Sequence, residues 1–371
     1  MAETFTLDSL VLPGPYVQVR AEALIAGAAV STGNIGIVGT ASSVPPDTEL
    51  LSGFDDATNA FGAYDAFNGG TGAQNLTRAL EIAYRNGAGV TFARALADGA
   101  GVSDYTAAFE QLIKDDVQIL VAPQLSTDDA LTVLKPLVLE AEEAGKDVIG
   151  VVGSDAVHVA DITAQADSVG DVDGRIILVA PGIHAFDSAA KADTILPGTY
   201  AAAAVAGLLS TLVPQSSPTN RTLPGVSKVA QRFTYAEEKQ LVGHVNSTTH
   251  EAAGIMLLDQ GAGVRIVRGV TTDGGAFKQV TTRRIVDFAK AGMRNTCSPF
   301  IGKLNNARVR KAMTGAINGF LGSMVADEAL ISFDLSVTAT RQDEIAGRAI
   351  VNAVIRPTFS IDFVAVTLTV E

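Results

Sequence analysis

Between Gly89 and Val213 the apolar and polar positions follow two different rhythms, and the switches between them mark out elements. "GVTFARAL", "VQILVAP", "DVIGVVG" and "RIILVAP" are short runs, apolar almost throughout, and predict buried strands. Between them, "SDYTAAFEQLIKD", "STDDALTVLKPLVLEAEEAG", "DAVHVADITAQADSVG" and "PGTYAAAAVAGLLSTLV" carry helix-period patterns. Ser103 is expected to cap the first helix, Ser126 or Thr127 to cap the second, and Pro136 to interrupt that second helix. Strands apolar on both faces and separated by helices predict a doubly wound α/β unit, a parallel sheet covered on both sides.

After the loop "VPQSSPTNRTLPGVS" the pattern changes. "EEKQLVGHVNSTTHEAAG" reads as partly helical, and "IMLLDQGAGVRIVRGVTT" as two short strands about a glycine turn. Two helices follow, "VTTRRIVDFAKAGMRNTC" and "NNARVRKAMTGAINGFLGSMVADEAL"; in the second, Met313, Ile317, Phe320, Leu321 and Met324 form a core-facing stripe. Three extended segments close the chain: "ISFDLSVTATR", "RAIVNAVIRP" and "RPTFSIDFVAVTLTVE". In the last, Phe359, Ile361 and Phe363 lie on one parity, then Val364, Val366, Leu368 and Val370 on the other, so each face is apolar in turn. Near the start, "LVLPGPYVQVR" is also strand-like, through Tyr16, Val17 and Val19. Both ends are β-prone and short of local partners, a hazard unless another strand fills them. Strand addition between copies would fill them, and head-to-tail donation would build a helix or stacked rings.

Composition sharpens this picture. A chain of 371 residues with 47% hydrophobic content and mean hydropathy +0.27 buries a large core. The longest apolar helical stretch, Tyr200 to Val213, is too short to span a bilayer, and the first residues lack the basic region of a signal peptide. Cys297 is the only cysteine, which excludes an intrachain disulfide framework and a thiolate zinc site. The net charge of -13 is unevenly spread: residues 1–220 carry 9 Lys and Arg against 27 Asp and Glu, residues 221–371 carry 18 against 13. Lys278, Arg283, Arg284, Lys290, Arg294, Lys303, Arg308, Arg310 and Lys311 face one acid, Asp287, which predicts a basic surface for an acidic partner. Arg283, Lys290 and Arg294 are spaced to share a helix face; Lys303, Arg308, Arg310 and Lys311 gather where the next helix begins and oppose its dipole.

Recognisable catalytic patterns are absent from the sequence. There is no phosphate-binding G-x-x-x-x-G-K-[ST] and no G-x-S-x-G, and "GGTGAQN" does not make a dinucleotide fingerprint. His158, His184, His244 and His250 have no metal-ligand spacing, and the acidic pairs read as solvated faces or helix starts. Two strands end in "ILVAP", at Pro123 and Pro181, where α/β folds place ligands, but proline ending a strand explains them without one. The alternatives to a structural role are an α/β enzyme or nucleotide-binding protein whose site residues converge from scattered positions, and a nucleic-acid binder, which the basic run permits but which has only Phe288 and Phe300 beside it for stacking.

"PGPYVQVR", "STGNIGIVGTASSVPPDTELLSGFDDATNAFG", "LTRALEIAYRNGAGVTFARAL", "RGVTTD", "RRIVDFAKAGMRNTCSPFIGKLNNARVRKAMTGAINGFLGSM" and "DLSVTATRQDEIAGRAIVNAVIRPTFSIDFVAVTLTVE", in that order, resemble the contractile tail sheath proteins of tailed phages and phage-tail-like particles. The resemblance implies a doubly wound α/β (subtilisin-like) middle domain plus an α+β C-terminal sheath domain with extended terminal β arms. It implies an N-terminal arm over residues 1–20, an N-terminal part of the core over 21–88, an outer α/β domain over 89–222, a tube-proximal domain over 223–345 and a C-terminal strand or arm over 346–371. Tyr16, Val17 and Val19 would be N-arm contacts, and Phe359, Ile361, Phe363, Val364, Val366 and Leu368 would form the inter-subunit strand at the other end. Lys290, Arg294, Lys303, Arg308, Arg310 and Lys311 would face the tube. The resemblance implies no catalytic residues and no cofactor. Its partners are further copies, the inner tube protein, baseplate and terminator proteins, with no nucleic acid and no membrane contact; its place is a virion tail or phage-tail-like particle assembled in host cytoplasm. "PGPY" departs from the family at Pro15, where an aliphatic residue is more usual, and stiffens the start of the arm.

Overall fold

The computed structural model describes residues 30–67, 75–170, 172–247, 250 and 253–369. Tyr16, Val17, Val19 and Val370 lie outside them. The described chain forms two compact units, one of Ser31–Phe288 with the segment from Thr358, the other of Ala289–Pro357.

The first unit is built on strands β1 (Ile35–Thr40), β2 (Glu49–Leu51), β3 (Thr91–Leu96), β4 (Ile119–Val121), β5 (Ile149–Gly153), β6 (Ile176–Ala180), β7 (Ile183–Asp187), β8 (Ala192–Leu196), β9 (Lys228–Val229), β10 (Met256–Gly261) and β11 (Gly263–Ile266). Its helices are α1 (Phe54–Phe61), α2 (Asn75–Arg85), α3 (Val102–Leu112), α4 (Thr127–Glu143), α5 (Val159–Val169), α6 (Gly198–Thr211) and α7 (Tyr235–Val242). Eight strands make one sheet in the order β11-β10-β6-β5-β4-β1-β3-β2, and β7, β8 and β9 make a second, antiparallel one. The large sheet is parallel from β3 to β10, with β2 and β11 antiparallel at its edges. It takes β1 and β2 from before Gly89 and β10 and β11 from beyond Thr222.

Helices cover both faces, which is why the central strands are apolar at nearly every position. Ile35, Ile37, Ile119, Val121, Ile177 and Val179 pack with the alanine face of α6 and with α2, while Val38, Leu120, Ile176 and Leu178 point the other way, among Phe109, Leu112, Leu134 and Val138. Small residues let the backbones touch: a Cβ on Gly153 would overlap the carbonyl oxygen of Gly198, and one on Gly207 would overlap that of Ala83. The expected middle elements are present, with two differences. Helix α3 starts at Val102 with Gly101 as its N-cap, whose N–H the Asp104 carboxylate three residues on accepts at 2.9 Å, so Ser103 lies inside the helix and is not its cap. Helix α4, capped by Ser126, runs through Pro136 without interruption, held by its buried neighbours Leu134, Leu137 and Val138.

Two fully buried arginines fasten this unit. Arg78 on α2 donates to Glu81 at 2.6 Å and to the carbonyl oxygens of Phe186 at 2.9 Å and Ala185 at 3.3 Å, tying α2 to β7. Arg175 pairs with Glu142 at 2.7 Å, Asp147 at 3.2 Å and Asp287 at 3.3 Å, and Asp287 also accepts from Arg283 at 2.5 Å. A buried guanidinium is tolerated only with such partners.

Candidate assembly surface

The second unit contains the C-terminal part of α8 (Val280–Cys297), a single 3-10 turn at Ser298–Phe300, α9 (Ala307–Ala326), β12 (Leu330–Thr338), α10 (Arg341–Ile345) and β13 (Ile350–Pro357). On α8, Gly292 leaves room for the Phe320 ring of α9, which a Cβ there would enter. The cap of α9 is Asn306, whose side-chain oxygen accepts the Val309 N–H at 3.0 Å. Strands β12 and β13 pair antiparallel in register Phe333↔Ile355, Leu335↔Ala353 and Val337↔Val351, which sets these six apolar side chains on one face. Helix α9 packs against β12. The link between the strands is stiffened by a capping box in α10, with Thr340 and Asp343 bonding each other's main chain, and by Arg348 pairing with Asp343 at 3.0 Å.

This sheet has two strands, so among the described residues both of its outer edges lack a strand partner. Ile331, Val354 and Ile345 around it are 64%, 62% and 76% exposed. Two strands alone make a marginal sheet in water, and bare edges with apolar flanks invite further strands.

The residues after β13 reverse the usual rule for a strand-like segment. Ser360 and Asp362, the polar parity, turn toward their own chain; Phe359, Ile361 and Phe363 turn outward, 63%, 81% and 79% exposed. Val364, Val366 and Leu368 are 79%, 82% and 85% exposed. Among the described residues no strand is formed here. The polar parity is bonded to the first unit. Arg268 Nε donates to Asp362 at 2.8 Å, the Gln279 amide donates to the Ser360 carbonyl at 3.1 Å and to Asp362 at 3.2 Å, and the Ser360 N–H donates back to Gln279 at 3.1 Å. The Arg268 guanidinium also lies 5.0 Å from the Phe363 ring centroid.

The basic run divides into structural and exposed members. Arg283 and Arg284 are buried, 2% and 6% exposed, and are corrected from surface to core. Arg283 pairs with Asp287, and Arg284 donates to the carbonyl oxygens of Thr32 at 2.9 Å and of Leu212, just past α6, at 2.8 Å. Burial pulls the Arg284 guanidinium down to about 10, with Asp287 pushing the other way, so it stays charged at neutral pH. The face expected to join Arg283, Lys290 and Arg294 therefore loses Arg283. Lys290 is half-buried on α8, and Arg294 is exposed one turn on. Lys303 is exposed, 5.1 Å from the Phe300 ring centroid, and Arg308 and Lys311 are exposed in the first turns of α9. Arg310 is drawn aside to Glu344 at 3.0 Å.

In the first unit a cavity of about 370 Å³ lies at the carboxyl ends of β1, β4 and β5, lined among others by Thr40, Asp98, Gln124, Asp155 and Tyr200. This is where parallel sheets place ligands. Some of its polar groups are already bonded, Gln124 to the Thr40 N–H and hydroxyl and Asp155 as acceptor from Thr127 and Gln165, whereas the buried Tyr200 hydroxyl and Asn75 Oδ1 have no hydrogen-bond partner among the described residues. Burial acts to raise the Asp155 carboxyl, but those hydrogen bonds outweigh it and hold the group below the usual range. Among the described residues no cluster of His, Cys, Asp and Glu could hold a metal ion, and no helix is long and apolar enough to cross a membrane.

Comparison with known proteins decides what this surface belongs to. The family model described as the phage tail sheath protein central domain matches residues 98–272, and the one described as the phage tail sheath C-terminal domain matches residues 272–371. The chain belongs to the phage tail sheath protein family. It is thus a structural sheath subunit and not an enzyme. No curated protein matches it significantly. Among solved structures, this sheath subunit is similar to the contracted helical sheath of the anti-feeding prophage, at 17% identity and TM-score 0.73 over 97% of this chain and 99% of that one. It is also similar to the contracted sheath complex of PVC, an extracellular contractile injection system, at 15% identity and TM-score 0.73 over 99% and 98% of the two chains. A sheath tail protein from Listeria innocua aligns at 15% identity and TM-score 0.68, over 92% of this chain and 95% of that one. The α/β middle and the α+β C-terminal part of the sheath subunit agree with these folds. Sequence reasoning found its exposed apolar tail but missed the residues that hold that tail, Arg268, Gln279, Ser360 and Asp362. The available signal was the polar parity itself, Ser360 and Asp362, interleaved with the apolar one.

Proposed function

We propose that this sheath subunit polymerises helically around an inner tube by exchanging terminal strands between copies, and contracts to drive the tube through a target envelope. The observation that carries this reading is the inverted C-terminal segment: Phe359, Ile361, Phe363, Val364, Val366 and Leu368 face solvent while the intervening Ser360 and Asp362 are bonded inward. Large contiguous apolar exposure of this kind marks an interaction site. The bare edges of the β12–β13 hairpin are the matching receptor, offering main-chain groups to a neighbour's strand. Tyr16, Val17 and Val19 would pair in the same manner at the other end of the chain.

The resemblance to sheath assemblies in helical and baseplate form supports self-association and a place in a tail or phage-tail-like particle. The finer partners follow from charge. Lys290, Arg294, Lys303, Arg308, Arg310 and Lys311 would face the tube, and the acidic α/β part would lie outward, giving the layers at 89–222 and 223–345 opposite surroundings. Within that reading the subunit also meets baseplate and terminator proteins, is made and assembled in host cytoplasm, and touches neither nucleic acid nor membrane.

Electron microscopy of the purified chain tests the proposal: tubes or stacked rings are expected, and a chain ending at Pro357 should stay folded and form neither. A persistent monomer at high concentration, or unchanged tubes after that truncation, refutes strand exchange.

A further inference from the structure

We infer that Arg268 and Gln279 form a register clamp that decides which face of the C-terminal segment is presented to a neighbouring copy; this rests on the strand-exchange reading above. A strand's side chains repeat every two residues, so a slip by one residue exchanges its faces. Here that slip would turn Phe359, Ile361 and Phe363 toward the chain and leave Ser360 and Asp362 to face the neighbour. Something must oppose it, and among the described residues the segment forms no strand that could do so.

The clamp reads both the main chain and a side chain. The Gln279 amide mimics a strand partner, donating to the Ser360 carbonyl and accepting the Ser360 N–H, both at 3.1 Å. Those two bonds fix the height of the backbone but would hold any residue. Identity enters through Asp362, which receives Arg268 at 2.8 Å and Gln279 at 3.2 Å, and whose side chain is 6% exposed within a segment whose flanking residues are mostly exposed. Only a residue with a short acceptor at that position completes the set, which selects one register. The platform beneath is firm. Val270 and Gln279 form an antiparallel bridge, the Val280 N–H donates to Gly269 at 3.2 Å, and Val270 and Val280 are fully buried. Arg268 and Gln279 are thus presented side by side by a rigid piece of backbone, 94 and 81 residues before their targets in sequence.

The tests use the full chain. Asp362→Ala alters only the tail side, so it leaves the fold intact; it removes the hydrogen bonds from both Arg268 and Gln279, so the Ser360 amide should exchange with solvent faster and tubes should need at least about tenfold more protein, the factor that the loss of even one charge-assisted hydrogen bond corresponds to. Arg268→Asp alone should do the same, and Arg268→Asp combined with Asp362→Arg should restore both amide protection and assembly, a rescue that a merely space-filling role would not give. Removing residues 358–371 serves as the control. If that removal abolishes tubes while Asp362→Ala assembles like the parent and the paired reversal behaves no better than either single change, the clamp is overturned and strand exchange stands. If the removal leaves tubes unaltered, strand exchange itself falls and takes the clamp with it.

Discussion

Replacing Phe359, Ile361 and Phe363 together by serine separates folding from assembly. These side chains are 63%, 81% and 79% exposed, so the isolated subunit loses little by their removal, and its melting transition should move by less than about 1 kcal/mol of stability. A neighbour that buried them would gain about 1.5–3 kcal/mol for each fully covered side chain, which the exposed fractions reduce to roughly 3–7 kcal/mol per subunit. Every 1.4 kcal/mol or so is a factor of ten, so the concentration at which tubes appear should rise by about two to five orders of magnitude. Sedimentation of a dilution series, with negative-stain images of the pellets, measures that concentration directly. Tubes forming at the parent's concentration would mean that nothing covers the outward parity, and the argument from its exposure would be wrong.

Three further outcomes probe the fold that carries the surface. Arg175→Met should destabilise the first unit by about 3–5 kcal/mol in urea unfolding, because Glu142, Asp147 and Asp287 lose their shared cation while staying largely buried; a change below about 1 kcal/mol would show that these acids are not strained by its loss. Gly153→Ala forces β5 away from the start of α6, where the obstacle is backbone, and should cost at least about 1–3 kcal/mol in the same assay, whereas a parent-like midpoint would contradict the close approach. Hydrogen bonds from Arg341 and Arg310 hold the Glu344 carboxyl below its ordinary range, so protons compete poorly for it in the folded state; whatever stability the contact contributes is present above the unfolded-state value and is lost as pH falls through the lower folded one. In acid the Arg310 guanidinium loses this acceptor, and binding of a sulfated probe, which keeps its charge there, to α9 should strengthen below the usual glutamate range in the parent but not in Glu344→Gln, as followed by NMR of the bound probe.

Much of the first unit is written in its rhythm. Strands such as β6, "IILVA", are apolar at every position because two helical layers cover them, and that alone identifies a parallel sheet. The hairpin of β7 and β8 escaped because it lies off the main sheet and its buried positions include Asp187, a residue that reads as loop until its bonds to the Phe67, Ala189 and Ala190 main chain are seen. Pro136 and Ser103 misled for a related reason: tertiary burial carried the helix through the one, and Gly101, its N–H held by Asp104, took the cap position expected of the other. Within the surface, the outward residues were legible from alternation, but their direction was not, since the ordinary expectation puts apolar side chains inside. The direction is set by two residues at a bridge distant in sequence, Gln279 within it and Arg268 just before it, which no local pattern announces. Counting charges likewise could not tell Arg283 and Arg284, spent on Asp287 and on main-chain carbonyls, from Arg308 and Lys311 at the surface.

The inverted segment also has a thermal consequence. What it offers a neighbour is oily area, whose attraction near room temperature comes from released water and fades on cooling. Chilling should therefore loosen newly joined copies and warming should draw them together, the reverse of what ion pairs alone would do, and a solution of this chain kept cold is the one that stays dispersed.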